Sequence, residues 1–209
     1  MNKRLSQASA FAAVLVLTAC SEAPKTTAEA KTETEAKKEA AVPPGPVSAK
    51  TAFYAMYTPA RTWATDLLPL SLASNDVPGQ KNAEGKAAMW TAVFVSPSRR
   101  EARTLYYSIV DSGTTIHKGV NAGGPEPWSG ATTKVKPFQI TEFAVDSDAA
   151  YKTAYEKAES WVKKHPDKKC SMSLLSVARF PSPVWYVLWG NEKSGYAAFV
   201  NATTGLAMK

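Results

Sequence analysis

Two histidines and two cysteines are the only residues of their kinds in the chain, and their settings limit the chemistry open to it. His117 lies in Thr114-Thr115-Ile116-His117-Lys118-Gly119, a loop or short strand. An imidazole there could act as a general base if a carboxylate stood beside it. His165 precedes Pro166 at the end of a helical stretch, where capping or plain solvation accounts for it. Cys170 follows Lys168 and Lys169, cations that would lower its thiol pKa if it were exposed. Otherwise it is a small residue at the entrance of a strand. The chain has no His-x-x-x-His, Cys-x-x-Cys or Gly-x-Ser-x-Gly and no glycine-rich phosphate loop. The expectation is a noncatalytic protein with no cofactor and no metal. The alternatives are a hydrolase using His117 with a nearby carboxylate and a structural envelope protein with no discrete ligand.

Other residues suit contact rather than catalysis. Trp128 closes the tract Gly119–Gly130 with Glu126 beside it, and Arg99 and Arg100 sit on a turn after an apolar run. These four are the candidate contact residues. The bland alternatives are a Trp plugged onto the core and a solvated turn.

Charge narrows the partners. The 209 residues carry 25 Lys+Arg and 18 Asp+Glu, a net +7. The excess is spread along the chain. It forms no basic stripe of the kind nucleic-acid binding needs, so no nucleic-acid partner is expected. Hydrophobic residues are 44%, an ordinary globular share that excludes a wholly disordered chain.

The N-terminus carries an address. Lys3 and Arg4 precede the apolar run Ala10 to Thr18, which is too short for a bilayer core of about 20 residues. It fits the central region of a secretory signal. The segment ends in Leu17-Thr18-Ala19-Cys20 and resembles the cleavage box of bacterial lipoproteins. The resemblance implies removal of residues 1–19 and acylation of Cys20, with a diacylglycerol on the thiol and a third chain on the new amine. Several acyl chains anchor a protein firmly. It therefore implies a membrane anchor in the cell envelope, facing the periplasm. Ser21 after the Cys favours the outer membrane by the enterobacterial rule. An envelope protein or peptide is the partner class that follows.

The elements that must position these residues begin after a tether. Residues 21–47 are mainly Ala, Glu, Lys, Thr and Pro with no aromatic side chain, and are expected to be a disordered spacer. All six Trp, all eight Tyr and six of seven Phe lie in 51–209. Tyr151, Ala154, Tyr155, Ala158, Trp161 and Val162 fall on one stripe of a helix over 149–165, capped by Ser147 or Asp148 and ended by Pro166. Extended runs follow at 171–179, 184–189, 196–200 and 206–208.

The first half has the same order. Ala52, Phe53, Met56, Tyr57, Ala60 and Trp63 predict a helix interrupted near Thr58-Pro59, followed by runs at 68–73, 90–95 and 102–110. In each half one Trp closes the helix and another opens the second strand, at spacings of 27 (Trp63 to Trp90) and 24 residues (Trp161 to Trp185). This predicts an α+β fold, helix on antiparallel sheet, in two similar helix-then-three-strand halves at 48–111 and 147–209. Trp63 and Trp161 are expected to pack beneath their helices against Trp90 and Trp185. The intervening 112–146 is expected to be an irregular Gly/Pro-rich connector.

The second half resembles a PepSY-type domain, a cystatin-like helix-on-sheet module of exported bacterial proteins. The residues that carry this are the helix Ala149–Val162, the strand Pro183-Val184-Trp185-Tyr186-Val187, and the ending from Tyr196 through Thr203-Thr204-Gly205 to Leu206. Asn201 stands where that family usually has Asp. The resemblance implies a noncatalytic binding or inhibitory module.

Overall fold

The computed structural model describes residues 45–209. The lipoprotein-like segment, Cys20 and the tether up to residue 44 lie outside the described residues. Among the described residues no helix is long and apolar enough to cross a membrane.

The chain runs α1 (Ala49–Trp63), β1 (Leu68–Asn75), β2 (Met89–Ser96), β3 (Glu101–Ser108), β4 (Gly119–Pro127), then α2 (Ser147–Lys164), β5 (Cys170–Leu175), β6 (Val184–Trp189), β7 (Tyr196–Asn201) and β8 (Ala207–Met208). The strands form one eight-stranded sheet in the order β4-β3-β2-β1-β5-β6-β7-β8, every pair antiparallel. The fold is α+β. The order reads the same outward from the centre, where β1 and β5 pair with Leu72 opposite Leu174.

Strand alternation gives the sheet an inner face. Leu72, Trp90, Ala92, Phe94, Leu105, Leu174, Trp185, Val187 and Val200 form one apolar cluster with Phe53 and Met56 of α1 and Ala150, Ala154 and Ala158 of α2. The expected stripe of α2 is present, but its centre is alanine. The three alanines are fully buried and let the helix approach the sheet closely, while Tyr151, Tyr155 and Trp161 flank them half-buried.

The helix starts meet. α1 has no side-chain cap of its own. Instead its Ala49 N–H donates to Ser147 Oγ (2.8 Å) and its Lys50 N–H to Asp146 Oδ1 (2.9 Å). Asp146, rather than Ser147 or Asp148, caps α2, accepting from the Ser147 amide. One short polar run therefore satisfies free amides of both helices.

Four sequence expectations change. First, α1 runs through Pro59 without interruption. Pro59 is exposed, so the carbonyl its ring cannot serve is open to water. Second, the Gly/Pro-rich tract is not irregular throughout. Residues 119–127 form β4, so the first half has four strands and extends past residue 111. An edge strand needs a ladder on one side only, which tolerates Pro125 and Pro127.

Third, Trp90 and Trp185 pack against each other rather than beneath Trp63 and Trp161. They are fully buried, with ring centroids 6.3 Å apart. Trp63 and Trp161 are only half-buried: Trp63 lies under the Arg99 guanidinium, and Trp161 stacks on His165 with Tyr196 tilted beside it. Both sit in the last turns of their helices, beyond the middle of the sheet. Fourth, order begins before residue 48. Val47 exchanges backbone hydrogen bonds with Ala87, and its carbonyl accepts the Trp90 indole N–H (3.0 Å). The Trp185 indole donates in the same way to the Val145 carbonyl (2.9 Å). Each central Trp thus ties down the residue two positions before its own helix.

Candidate functional site

A cavity of about 400 Å3 opens where the two halves meet on the helix-covered side of the sheet. Its floor is Trp90 of β2, Met172 of β5 and Trp189 of β6, all nearly fully buried. Trp90 is held in place by its bond to Val47. Trp189 is wedged between Tyr151, Tyr155 and Tyr196, at centroid distances of 5.7, 6.5 and 6.4 Å. Tyr151 and Val162 of α2 form one wall.

The opposite wall is the β1–β2 loop. Asn82 fixes it, donating to the Asn75 carbonyl and Asp76 Oδ1 and accepting from the Ala88 amide. Ala83 and Lys86 close a tight turn with two backbone bonds of 3.0 and 2.9 Å. The turn needs positive φ at Glu84 (50°) and Gly85 (81°). Gly85 is buried against the start of α2, where a Cβ would collide with the Ser147 carbonyl. The third wall is Pro166–Lys169, between α2 and β5. Lys169 Nζ bonds Asp76 Oδ2 at 2.8 Å and so joins the two loops across the mouth.

Burial sets the electrostatics. The Cys170 thiol lines the cavity and is pushed up to about 12 by desolvation. Cys170 opens β5, as the alternative reading expected, and burial outweighs the neighbouring cations, which would lower only an exposed thiol. Lys169 is also committed to Asp76, and Lys168 to Asp167 (2.9 Å). At neutral pH the thiol is protonated, which makes it a weak nucleophile. Burial also raises the Tyr151 phenol, and the coulombic effect of Cys170 adds to that. No histidine lines the cavity. The arrangement suits the holding of a ligand: a closely packed apolar base, a wall of Tyr151 and Val162, and a polar rim above.

The residues singled out from sequence lie elsewhere. The structure brings Arg99, Arg100, Glu126 and Trp128 together at one end of the sheet. Ala102 pairs with Glu126, and the Trp128 amide donates to the Arg100 carbonyl (2.9 Å). Arg99 lies over the Trp63 ring, 5.7 Å from its centroid, and pairs with Glu101 at 3.1 Å. Below them Asp66 accepts from Ser96 Oγ (2.6 Å) and the Ser98 amide (2.8 Å), which holds its carboxyl down at about 2. This end is exposed rather than enclosed.

His117 lies in the turn between β3 and β4. Its Nδ1 is 3.9 Å from Asp111 Oδ1, and both side chains are largely exposed. His165 Nδ1 bonds the Trp161 carbonyl at 2.8 Å, within its own helix end. Among the described residues no three His, Cys, Asp or Glu side chains gather as metal ligands would.

Sequence reasoning missed the cavity. Its lining runs from Ser74 to Trp189 and converges only through the β1–β5 pairing. The one local signal was the Asn82 to Lys86 stretch, whose Glu-Gly step marks a tight turn.

No family model matches the chain, and no curated protein sequence does. The PepSY-type likeness of the second half therefore rests on its own motif alone. Among solved structures, a proposed lipoprotein from Clostridium difficile 630 is similar at 10% identity and a TM-score of 0.42, over 76% of this chain and 90% of its own. A similarity at that level carries no argument about this chain.

Proposed function

We propose that this chain is a lipid-anchored protein of the bacterial cell envelope whose folded part is a noncatalytic binding domain, with the cavity between the halves as its binding site. The anchor is read from Leu17-Thr18-Ala19-Cys20, and the periplasmic, outer-membrane placement follows from that reading and from Ser21. The observation that supports the binding role is the cavity itself. It has a volume of about 400 Å3, an apolar wall of Tyr151 and Val162 over a packed base, and two walls joined by an ion pair. Such concavity is where small ligands bind, because a preformed apolar floor needs no ordering on contact. The hydrolase alternative is the weaker reading, since the solvated His117–Asp111 pair has neither enclosure nor contact with the cavity.

The test is a titration of the full chain with small ring-bearing compounds, followed through the indole N–H resonances. Binding in the cavity moves Trp189 and Trp90 and leaves Trp63 and Trp128 still. Shifts confined to Trp63 and Trp128 would transfer the site to the Arg99–Arg100 end of the sheet.

A further inference from the structure

Resting on the cavity as the binding site, we infer that its ligand combines one flat apolar ring with a single anionic head, as an aryl carboxylate or a peptide ending in an aromatic residue does.

The floor argues for the ring. Tyr151 and Val162 present the accessible apolar surface, and Trp90, Met172 and Trp189 back it from beneath, nearly fully buried. About 400 Å3 accommodates one ring with a short arm. The rim argues for the head. Four lysines (Lys81, Lys86, Lys168, Lys169) and three carboxylates (Asp76, Glu84, Asp167) stand around the mouth. Asp76 is taken by Lys169 and Asn82, and Asp167 by Lys168. Among the described residues that leaves Lys81 and Lys86 against Glu84 alone, with both lysines on the one loop that forms a wall. A cationic ligand would meet the net positive charge that Lys81 and Lys86 leave over Glu84.

A polyhydroxylated neutral ligand would find few free neutral partners on the β1–β2 loop wall. Asn82 spends both its donor and acceptor capacity on the loop, and Ser74 Oγ is engaged by the Met172 amide (2.9 Å). Gln80 is the remaining neutral polar side chain of that wall without such a tie. A site for hydroxyl groups needs several convergent free donors and acceptors, and this one offers charge instead.

Three probes share a ring and differ in the head: 3-phenylpropionate, 3-phenylpropan-1-ol and 3-phenylpropylammonium. Each is titrated calorimetrically into the full chain, with the Trp189 indole N–H followed in parallel. The acid is expected to bind roughly five- to tenfold tighter than the alcohol, as two half-exposed ion pairs would supply, and the amine weakest. The gap should shrink with added salt. Lys81→Gln with Lys86→Gln should bring the acid down to the alcohol while leaving the alcohol unchanged. Equal binding of acid and alcohol in the native chain would overturn the anionic head but leave the cavity as a site. No response of Trp189 to any of the three would overturn both.

Discussion

Single residues in this fold divide by what they touch. Trp90 and Trp185 sit at the centre of the sheet, fully buried, each with its indole N–H satisfied by a carbonyl just before a helix. Removing either leaves a large cavity; removing Trp185 also orphans the Val145 carbonyl, whereas the Val47 carbonyl keeps the Ala87 amide. Trp90→Ala and Trp185→Ala should each cost about 3–5 kcal/mol. Trp63→Ala and Trp161→Ala should cost less, because those rings are only partly buried and the Trp63 indole N–H is buried without a partner. Chemical denaturation of the four variants checks the order, and equal losses would mean the helix-end tryptophans share the core. Asp66 carries a pH signature. Its folded carboxyl titrates at about 2, below its ordinary 3.8, because the Ser96 hydroxyl and Ser98 amide favour the charged form. Its contribution is therefore present above about pH 4 and is lost as the pH falls toward 2. Melting temperature should fall more steeply over that window in the native protein than in Asp66→Asn. Parallel slopes would show that the carboxylate does not stabilise the fold.

Elements were legible where their own side chains decided them, and illegible where a neighbour did. The α2 stripe and the strands holding Trp90 and Trp185 follow from periodicity and β-branched or aromatic content, and the structure has them close to the expected bounds. β4 was hidden, because Gly119-Val120-Asn121-Ala122-Gly123-Gly124 has little strand propensity of its own and is held by the ladder that β3 offers. The unbroken α1 was hidden as well, since only packing shows that Pro59 faces outward. The role of Val47 was misjudged for a similar reason: it looks like the end of a spacer but is a partner of Trp90 and Ala87. A chain beginning at Ser48 should therefore melt below one beginning at Gly45. The orphaned indole costs about 1–3 kcal/mol, which for a domain of this size is several degrees. Coincident melts would show that Val47 contributes nothing.

The whole molecule is a sheet built outward from the β1–β5 pair, with one helix over each half and a cavity beside their junction. Spacing of the tryptophans made the two-half arrangement legible. The site was not, because its walls come from residues 74–90 of one half and 151–189 of the other, and no sequence window holds both. The residues that drew attention in sequence, Arg99, Arg100, Glu126 and Trp128, do converge, but at a different end of the strands. The central claim is that the cavity, and no other surface, binds the ligand. Val162 lines it from α2 and is only half-buried, so a larger side chain there fills the space without entering the alanine-centred core. The direct measurement is calorimetric titration of 3-phenylpropionate into the native chain and into Val162→Trp, with circular dichroism to show that both are folded. The account predicts a saturable heat for the native chain and none for the folded variant; equal heats from the two would contradict it.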